Sequence, residues 1–350
     1  MAISFRFKFI KGLTPVSLVL LMMVQLMSAC TSTKSPEEIL ASKASVPQRQ
    51  DLYDANAIIT VTTANEPKDE ADALARAKRE ESLGNLDPAL YLYVQALDFK
   101  PDNADTLYQI GRINSIKGNI QLAYRTYNEA LVIDPDMMMS HAGLGLINME
   151  ERQHRQARIH LEKAVNLDQK RLNQLAKSTD NERLFNLDSV SPVRVYNAMA
   201  VLEDLDNEHE QAKILYKLAL QKDIHSAFII TNLGYSYYLS GNFTLAENYL
   251  KQAIREDPSF DRAWTNLGLV YVRKGLYTKA LATFEHTMEP EDALNDLGYF
   301  LMLEGQYIQA IKLFTRAIDN SPSYFEQAQK NLKRASMELN GSVINSDSIF

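Results

Sequence analysis

The chain has 350 residues, of which 46% are hydrophobic, and a formal net charge of −7 at pH 7. This composition is typical of a folded protein rather than a disordered one. The acidity argues against binding to a nucleic-acid backbone, because such binding relies on clustered Lys and Arg. The only cysteine, Cys30, excludes an internal disulfide framework and a thiolate metal cluster.

Residues 1–29 have the pattern of a secretory signal peptide. Arg6, Lys8 and Lys11 precede an apolar run, residues 13–27, and small residues stand before Cys30. An uncleaved membrane helix is the alternative, but the run is short for a span of about 20 residues, and it contains a proline and a glutamine.

The segment Met27-Ser28-Ala29-Cys30 resembles a bacterial lipobox. The resemblance implies that Cys30 is diacylated and becomes the mature N-terminus. Two or more acyl chains give stable anchoring where one chain does not. In Gram-negative lipoproteins, Thr31 rather than Asp after the cysteine implies sorting to the outer membrane, so we expect a lipid anchor at its periplasmic face.

Residues 30–69 are predicted to form a flexible tether, because the start of this segment is polar. Residues 57–63 differ, since their composition is typical of a strand. They either rest on the first helices or add a strand to the sheet edge of a partner. The first alternative is favoured because nothing nearby completes a sheet.

A repeat begins after this tether. Trp264, Leu267, Gly268 and Tyr271, followed by Ala280 and Phe284, match the helix–turn–helix pattern of the tetratricopeptide repeat (TPR). Small residues recur twelve positions apart, as expected where two antiparallel helices cross. Left-handed turn residues follow the first small residue of each pair by seven positions, except at Arg152. The small-residue pairs are Ala77/Ala89, Gly111/Ala123, Gly145/Ala157, Ala200/Ala212, Gly234/Ala246, Gly268/Ala280 and Gly298/Ala310.

The sequence therefore predicts an all-α fold, a solenoid of seven repeats that ends in a capping helix. The first three repeats span 70–171, and the last four span 193–324. Residues 172–192 are an insertion that either links two modules, the favoured alternative, or lengthens the second helix of the third repeat. A polar capping helix is expected at 325–339, and a loose tail at 340–350. The repeats are 70–103, 104–137, 138–171, 193–226, 227–260, 261–290 and 291–324, the sixth being four residues short.

No sequence motif indicates catalysis, and we predict that the protein is not an enzyme and holds no cofactor or metal. The six histidines lack the spacing of a two-ligand helical metal site, and no nucleophile or phosphate-binding motif is present. The carboxylates are scattered, as on a solvated helical face.

A solenoid of this kind offers a groove lined by the first helix of each repeat. Amides there can bind a peptide backbone, tyrosines give broad contact, and arginines can hold a carboxylate. Alternatively, these side chains pack between helices. Repeats one to three offer a more apolar surface that includes Met139, Leu146 and Met149. The predicted groove residues are Asn232, Tyr235, Tyr238, Arg262, Asn266, Arg273, Asn295 and Tyr299.

Residues 193–335, together with the signal peptide, resemble the TadD lipoproteins of the tight-adherence (Flp) pilus system. The segments that carry the resemblance are 197–201, 231–236, 239–242 and 295–299, which include Asn-Leu-Gly-Tyr and Asp-Leu-Gly-Tyr. The resemblance implies a pilotin-like scaffold that binds a pilus secretin and aids its assembly in the outer membrane.

Two other functions remain open. One is a different periplasmic adaptor, serving type IV pilus secretins, cell-wall hydrolases or outer-membrane protein insertion. The other is an enzyme subunit whose repeats recruit substrate.

Overall fold

The computed structural model describes residues 49–52, 66–176 and 184–347. Within these ranges the regular elements are fifteen α-helices and a short 3₁₀ turn, Gln50–Leu52, with no strand. The predicted all-α repeat fold is therefore confirmed. The signal peptide, Cys30 and the strand-like residues 57–63 lie outside the described residues.

The helices alternate as the first and second helix of successive repeats, and a final helix follows the last pair. The pairs are α1 (Glu70–Ser82) and α2 (Leu86–Phe99), α3 (Ala104–Ile116) and α4 (Ile120–Ile133), α5 (Met138–Glu150) and α6 (His154–Ala176), α7 (Val193–Leu205) and α8 (His209–Lys222), α9 (Ala227–Leu239) and α10 (Phe243–Glu256), α11 (Asp261–Arg273) and α12 (Tyr277–Phe284), and α13 (Pro290–Leu303) and α14 (Tyr307–Asn320), followed by α15 (Glu326–Asp347).

The chain divides into two compact units between Phe99 and Lys100. In the first unit, α1 and α2 pack against each other through the fully buried Ala77 and Ala89. The Tyr93 hydroxyl on α2 donates a hydrogen bond of 3.1 Å to the Glu81 carboxylate on α1. The second unit holds α3–α15.

Close contact between the two helices of a repeat explains the recurring glycines. A Cβ on Gly268 of α11 would overlap the ring of Phe284 on α12, which is fully buried. The large residue lies sixteen positions after the glycine. The small residue lies twelve positions after the same glycine and lets the second helix approach the first closely. The same arrangement recurs at Gly111/Tyr127, Gly145/Leu161, Gly234/Leu250 and Gly298/Phe314.

The turn within the third repeat is left-handed although its sequence did not indicate it. Arg152 has φ of 58°, close to the 64° of Asn207 at the same position of the fourth repeat. Positive φ costs a non-glycine residue energy that the surrounding helix pair must offset. Arg152, the exception to the residue pattern, thus adopts the same left-handed conformation as the turn residues of the other repeats.

The short sixth repeat loses residues from its second helix. Helix α12 has eight residues, whereas α10 and α14 have fourteen each. Pro290 then begins α13 at a position where a missing N–H costs nothing.

The insertion does not separate two modules, contrary to the favoured prediction. Helix α6 continues to Ala176, so the start of the insertion lengthens the second helix of the third repeat. Leu161 and Val165 of α6 belong to the same buried core as Val195 and Tyr196 of α7. Packing between α6 and α7 is thus continuous on either side of the insertion.

Polar contacts hold the end of this insertion against α6. The Arg171 guanidinium donates to both carboxylate oxygens of Asp188, at 2.6 and 2.8 Å. It also donates at 2.6 Å to Asp168, which is fully buried and accepts a 2.9 Å hydrogen bond from the Tyr196 hydroxyl. We call Asp168, Arg171, Asp188 and Tyr196 the insertion clasp.

The last helix is longer than predicted. Helix α15 runs from Glu326 to Asp347, so the residues from 340 to 347 are helical rather than loose. Gly341 lies inside this helix, where glycine costs about 1 kcal/mol relative to alanine but does not block hydrogen bonding as proline would. Ala328 and Ala335 are fully buried, because the first half of α15 packs against α13 and α14.

Candidate protein-binding groove

A groove runs along the first helices of the third to sixth repeats, within the second unit. Its main cavity has a volume of about 580 Å³ and is lined by residues of α5, α7, α9 and α11 and of the turn before α9. Much of the lining is aliphatic or aromatic, and the polar groups come from α5, α7, α9, α11 and the turn before α9. The lining residues are Leu146, Met149, Glu150, Val193, Arg194, Asn197, Ala198, Val201, Asp223, Ser226, Phe228, Ile229, Asn232 and Arg262.

A second cavity of about 460 Å³ continues the groove toward α3. The two cavities share Leu146, Glu150, Val193 and Arg194. Tyr108, Arg112 and Tyr127 extend the lining, and we use "the groove" for both cavities together. The groove therefore crosses the first helices of five successive repeats, which suits an extended segment better than a small molecule.

A chain of hydrogen bonds joins three successive first helices on the polar side of the main cavity. The Asn232 amide of α9 donates at 2.9 Å to the Asn197 side-chain oxygen of α7. Arg262 of α11 donates at 2.6 Å to the Asn232 side-chain oxygen. Both asparagines are buried, and the Arg262 guanidinium lies 5.5 Å from the ring centroid of Phe228. We call Asn197, Asn232 and Arg262 the amide–arginine chain.

Two of the predicted groove residues, Asn232 and Arg262, line the main cavity. Tyr238 and Arg273 line a separate cavity of about 220 Å³, where Arg273 lies 3.6 Å from the Glu304 carboxylate. Tyr235 stacks on Tyr238 with ring centroids 5.6 Å apart. The structure therefore divides these predicted residues between two places along the first helices.

The other predicted residues occupy different environments. Asn295 is buried and accepts a 2.9 Å hydrogen bond from Asn331 of α15, so it connects the last repeat to the final helix. Tyr299 packs edge-on against Phe300 at 6.0 Å. Asn266 is half-buried on α11. The hydrogen bond of Asn295 is one between helices, as in the alternative that the sequence left open.

Sequence reasoning missed Arg194, Val201 and Phe228, although it noted the apolar Leu146 and Met149. A signal was available in the repeat frame. Arg194, Phe228 and Arg262 each occupy the second position of their repeats. Including the second position of every repeat among the predicted lining residues would have moved the predicted groove toward α7 and α9.

The pKa shifts of tyrosines in and beside the groove do not indicate acid–base chemistry. Burial raises the pKa of Tyr127 and also that of Tyr238, where Arg273 opposes the shift in part. Both phenols thus stay protonated at neutral pH. Among the residues that the structure describes, no group of three or more His, Cys, Asp or Glu is placed to hold a metal, and no helix is long and apolar enough to span a membrane.

Sequence profiles for tetratricopeptide repeats match residues 104–137, 231–287 and 291–324. Two of these bounds, 104–137 and 291–324, coincide with the second and seventh repeats assigned above. The matched segments cover α3–α4, most of α9–α12 and α13–α14. The chain therefore contains tetratricopeptide repeats, and α3, most of α9 and α11 of the groove lie within the matched segments.

The chain is similar to a curated protein, the BBSome complex member BBS4 of Bos taurus, with 24% identity over 239 residues. The match covers 67% of this chain and 42% of the relative, so the chain spans less than half of that protein's length.

Among solved structures, the chain is similar to PilW, described as a widely conserved type IV pilus biogenesis factor. Identity is 15%, coverage is 75% of this chain and 98% of PilW, and the TM-score is 0.45. It is also similar to YrrB, described as a TPR protein with an unusual peptide-binding site. Identity is 15%, coverage is 63% of this chain and 96% of YrrB, and the TM-score is 0.42.

Proposed function

We propose that this chain is a protein-binding scaffold whose groove holds a segment of a partner protein. The observation that carries the proposal is the groove itself. It combines an apolar surface of side chains such as Leu146, Met149 and Val201 with the amide–arginine chain. Apolar burial supplies affinity, and a few fixed polar groups supply orientation, which is the usual division in a recognition site.

We further propose that the protein is lipid-anchored through Cys30 at the periplasmic face of the outer membrane. The support is the signal-peptide pattern with its lipobox-like end and the polar segment that follows. A tether between anchor and repeats would leave the groove free to meet partners near the membrane.

The partner that we propose is a secretin or another assembly protein of a tight-adherence pilus, so that the chain acts as a pilotin. The support is the resemblance of residues 193–335 to TadD lipoproteins. Asn197 and Asn232, which belong to segments that carry this resemblance, both lie in the groove.

Site-specific photocrosslinking in the native cell tests the partner. A photoreactive amino acid replaces Val201 in the groove, and the matched control replaces Lys312 on the exposed side of α14, which lines neither cavity. We expect a secretin to be captured from position 201 and not from position 312. Capture of a peptidoglycan hydrolase or a barrel-assembly protein would instead favour another periplasmic adaptor. Equal capture from both positions would contradict a role for the groove.

A further inference from the structure

Where the amide–arginine chain lines the main cavity, the polar groups that it offers are hydrogen-bond donors. The Asn197 side-chain oxygen already accepts from Asn232, and the Asn232 oxygen already accepts from Arg262. The amide nitrogen of Asn197 has no hydrogen-bond partner among the described residues, and Asn197 lines the cavity. The guanidinium of Arg262 uses one N–H on Asn232, and its other N–H groups are donors.

Arg262 is held in place without a carboxylate from its own chain. Among the described residues, no Asp or Glu oxygen lies within 4 Å of its guanidinium, whereas Arg158 and Arg171 both form such ion pairs. The hydrogen bond to Asn232 and the ring of Phe228 fix its position instead. A cation that is positioned but not neutralised favours a ligand anion, and a guanidinium matches the geometry of a carboxylate.

Much of the rest of the cavity lining is apolar. Leu146, Met149, Val201 and Ile229 lie alongside the donors and can bury an aliphatic or aromatic side chain. In one direction the groove continues past Tyr108 on α3. The groove therefore has room for several residues beside the one that meets the donors. A side-chain carboxylate can accept from a guanidinium as well as a terminal one can, so a chain end is not required.

We propose that the groove recognises an internal, acidic–apolar segment of its partner. An Asp or Glu side chain accepts hydrogen bonds from Arg262 and Asn197, while a neighbouring Leu, Ile, Met or Phe enters the apolar part. The inference rests on the proposed protein-binding function and specifies the chemistry of the bound segment. Two carboxylates also line the cavity: Glu150, which lies 3.8 Å from Arg194, and Asp223 in the turn after α8. They define the competing expectation that the groove prefers basic segments.

The test uses the full-length mature protein and a degenerate library of eight-residue peptides that are acetylated and amidated, so that no terminal charge remains. We expect the retained pool to be enriched in Asp or Glu next to a large apolar residue. A selected peptide is then compared with its Glu→Gln form by fluorescence anisotropy. We expect the Gln form to bind at least about tenfold more weakly, because a charge-assisted hydrogen bond is lost.

Protein variants assign the effect to the donors. Arg262→Gln and Asn197→Ala should each reduce the preference for Glu over Gln peptides, while Arg316→Gln on the exposed side of α14 should not. Unchanged circular dichroism of each variant separates loss of a donor from loss of the fold. Raised salt should weaken the Glu peptide more than the Gln peptide, since the interaction is partly exposed.

Several outcomes would overturn the inference. These are enrichment of basic peptides, no enrichment at all, unaltered preference in Arg262→Gln, or binding that requires a free C-terminal carboxylate. Failure here is distinguishable from failure of the proposed function. Photocrosslinking from position 201 can still capture a secretin when the peptide preference is wrong, and acidic peptides can bind when the captured protein is not a secretin.

Discussion

Gly268 shows how one absent side chain decides the packing of a repeat. The Phe284 ring occupies the space that a Cβ on Gly268 would need, and ring and helix backbone are both buried. In the third and fifth repeats the glycine contacts Leu161 and Leu250, respectively, and a leucine side chain is more adaptable than an aromatic ring. The identity of the large residue therefore sets how strictly glycine is required.

Replacing Gly268 by leucine should lower the free energy of unfolding by several kcal/mol, because overpacking forces α11 and α12 apart. Urea titration followed by circular dichroism measures the loss. Adding Phe284→Leu to Gly268→Ala should restore part of the stability that Gly268→Ala alone removes. Unchanged unfolding midpoints in these variants would contradict the assigned contact.

Glu247 on α10 gives a residue-scale prediction about pH. Burial alone would raise its pKa, but hydrogen bonds of 2.5 Å each from Lys251 and from Lys274 at the end of α11 outweigh that effect and lower the pKa to about 2. The charged form of Glu247 is therefore stabilised more in the folded state than in the unfolded chain. Its stabilising contribution is present above the unfolded pKa and is lost as pH falls from about 4.5 to about 2.

At neutral pH, Glu247→Gln should lower the free energy of unfolding by about 1 kcal/mol, since both lysines are partly exposed and solvent screens the pair. The difference from wild type should shrink as pH falls through this window. Denaturant titrations at several pH values measure it, with Glu285→Gln on an exposed site as the control. A difference that grows toward low pH would show that the sign is wrong.

At the scale of elements, the insertion clasp holds residues 184–192 against α6. Arg171 holds Asp188 on the insertion and Asp168 on its own helix, and its hydrogen bonds keep the pKa of Asp188 well below its usual range. Asp168 is fully buried, so loss of Arg171 would leave its charge with the Tyr196 hydroxyl as the main partner. The clasp thus ties the insertion to the helix pair α6 and α7.

Arg171→Ala should cost about 2–3 kcal/mol and release the insertion, because charge-assisted hydrogen bonds are lost and Asp168 remains buried. Hydrogen exchange of residues 184–192 should become faster, whereas exchange in α13 and α14 should not change. Arg171→Lys keeps the charge but not the two-pronged geometry and should give an intermediate effect. Unaltered exchange in Arg171→Ala would argue that the insertion is held by other contacts.

The elements also show where sequence reasoning reached its limit. Alternating helices and their turns follow from local rules, such as glycine spacing and proline stops, and most of them could be predicted. The insertion at 172–192 could not be resolved, because its packing depends on Arg171 meeting Asp188 seventeen residues later. Of the predicted groove residues, Asn232 and Arg262 line the main cavity, and which of the others contact a partner stays a prediction.

At the scale of the whole molecule, the anchor and the repeats should be separable. Cys30→Ala is expected to release the protein from membranes. It should leave the helical circular dichroism spectrum unchanged, because the buried residues that form the described repeat core lie between Ala73 and Ala335. Cell fractionation followed by immunoblotting measures the release. The strain used should lack the candidate partner, since a bound membrane protein could retain the variant. Continued membrane association in that strain would contradict lipid anchoring.

The sequence by itself determined the repeat fold, since a helix pair needs small residues at its crossing and a left-handed turn at its bend, and both recur at fixed spacing. It also determined the residue types from which the groove is built. Only the tertiary structure decided which of them meet. Asn197, Asn232 and Arg262 belong to three different repeats, and their contact depends on how those repeats stack. Spacing along the chain records the period of the array, whereas the distances between side chains across repeats follow from packing.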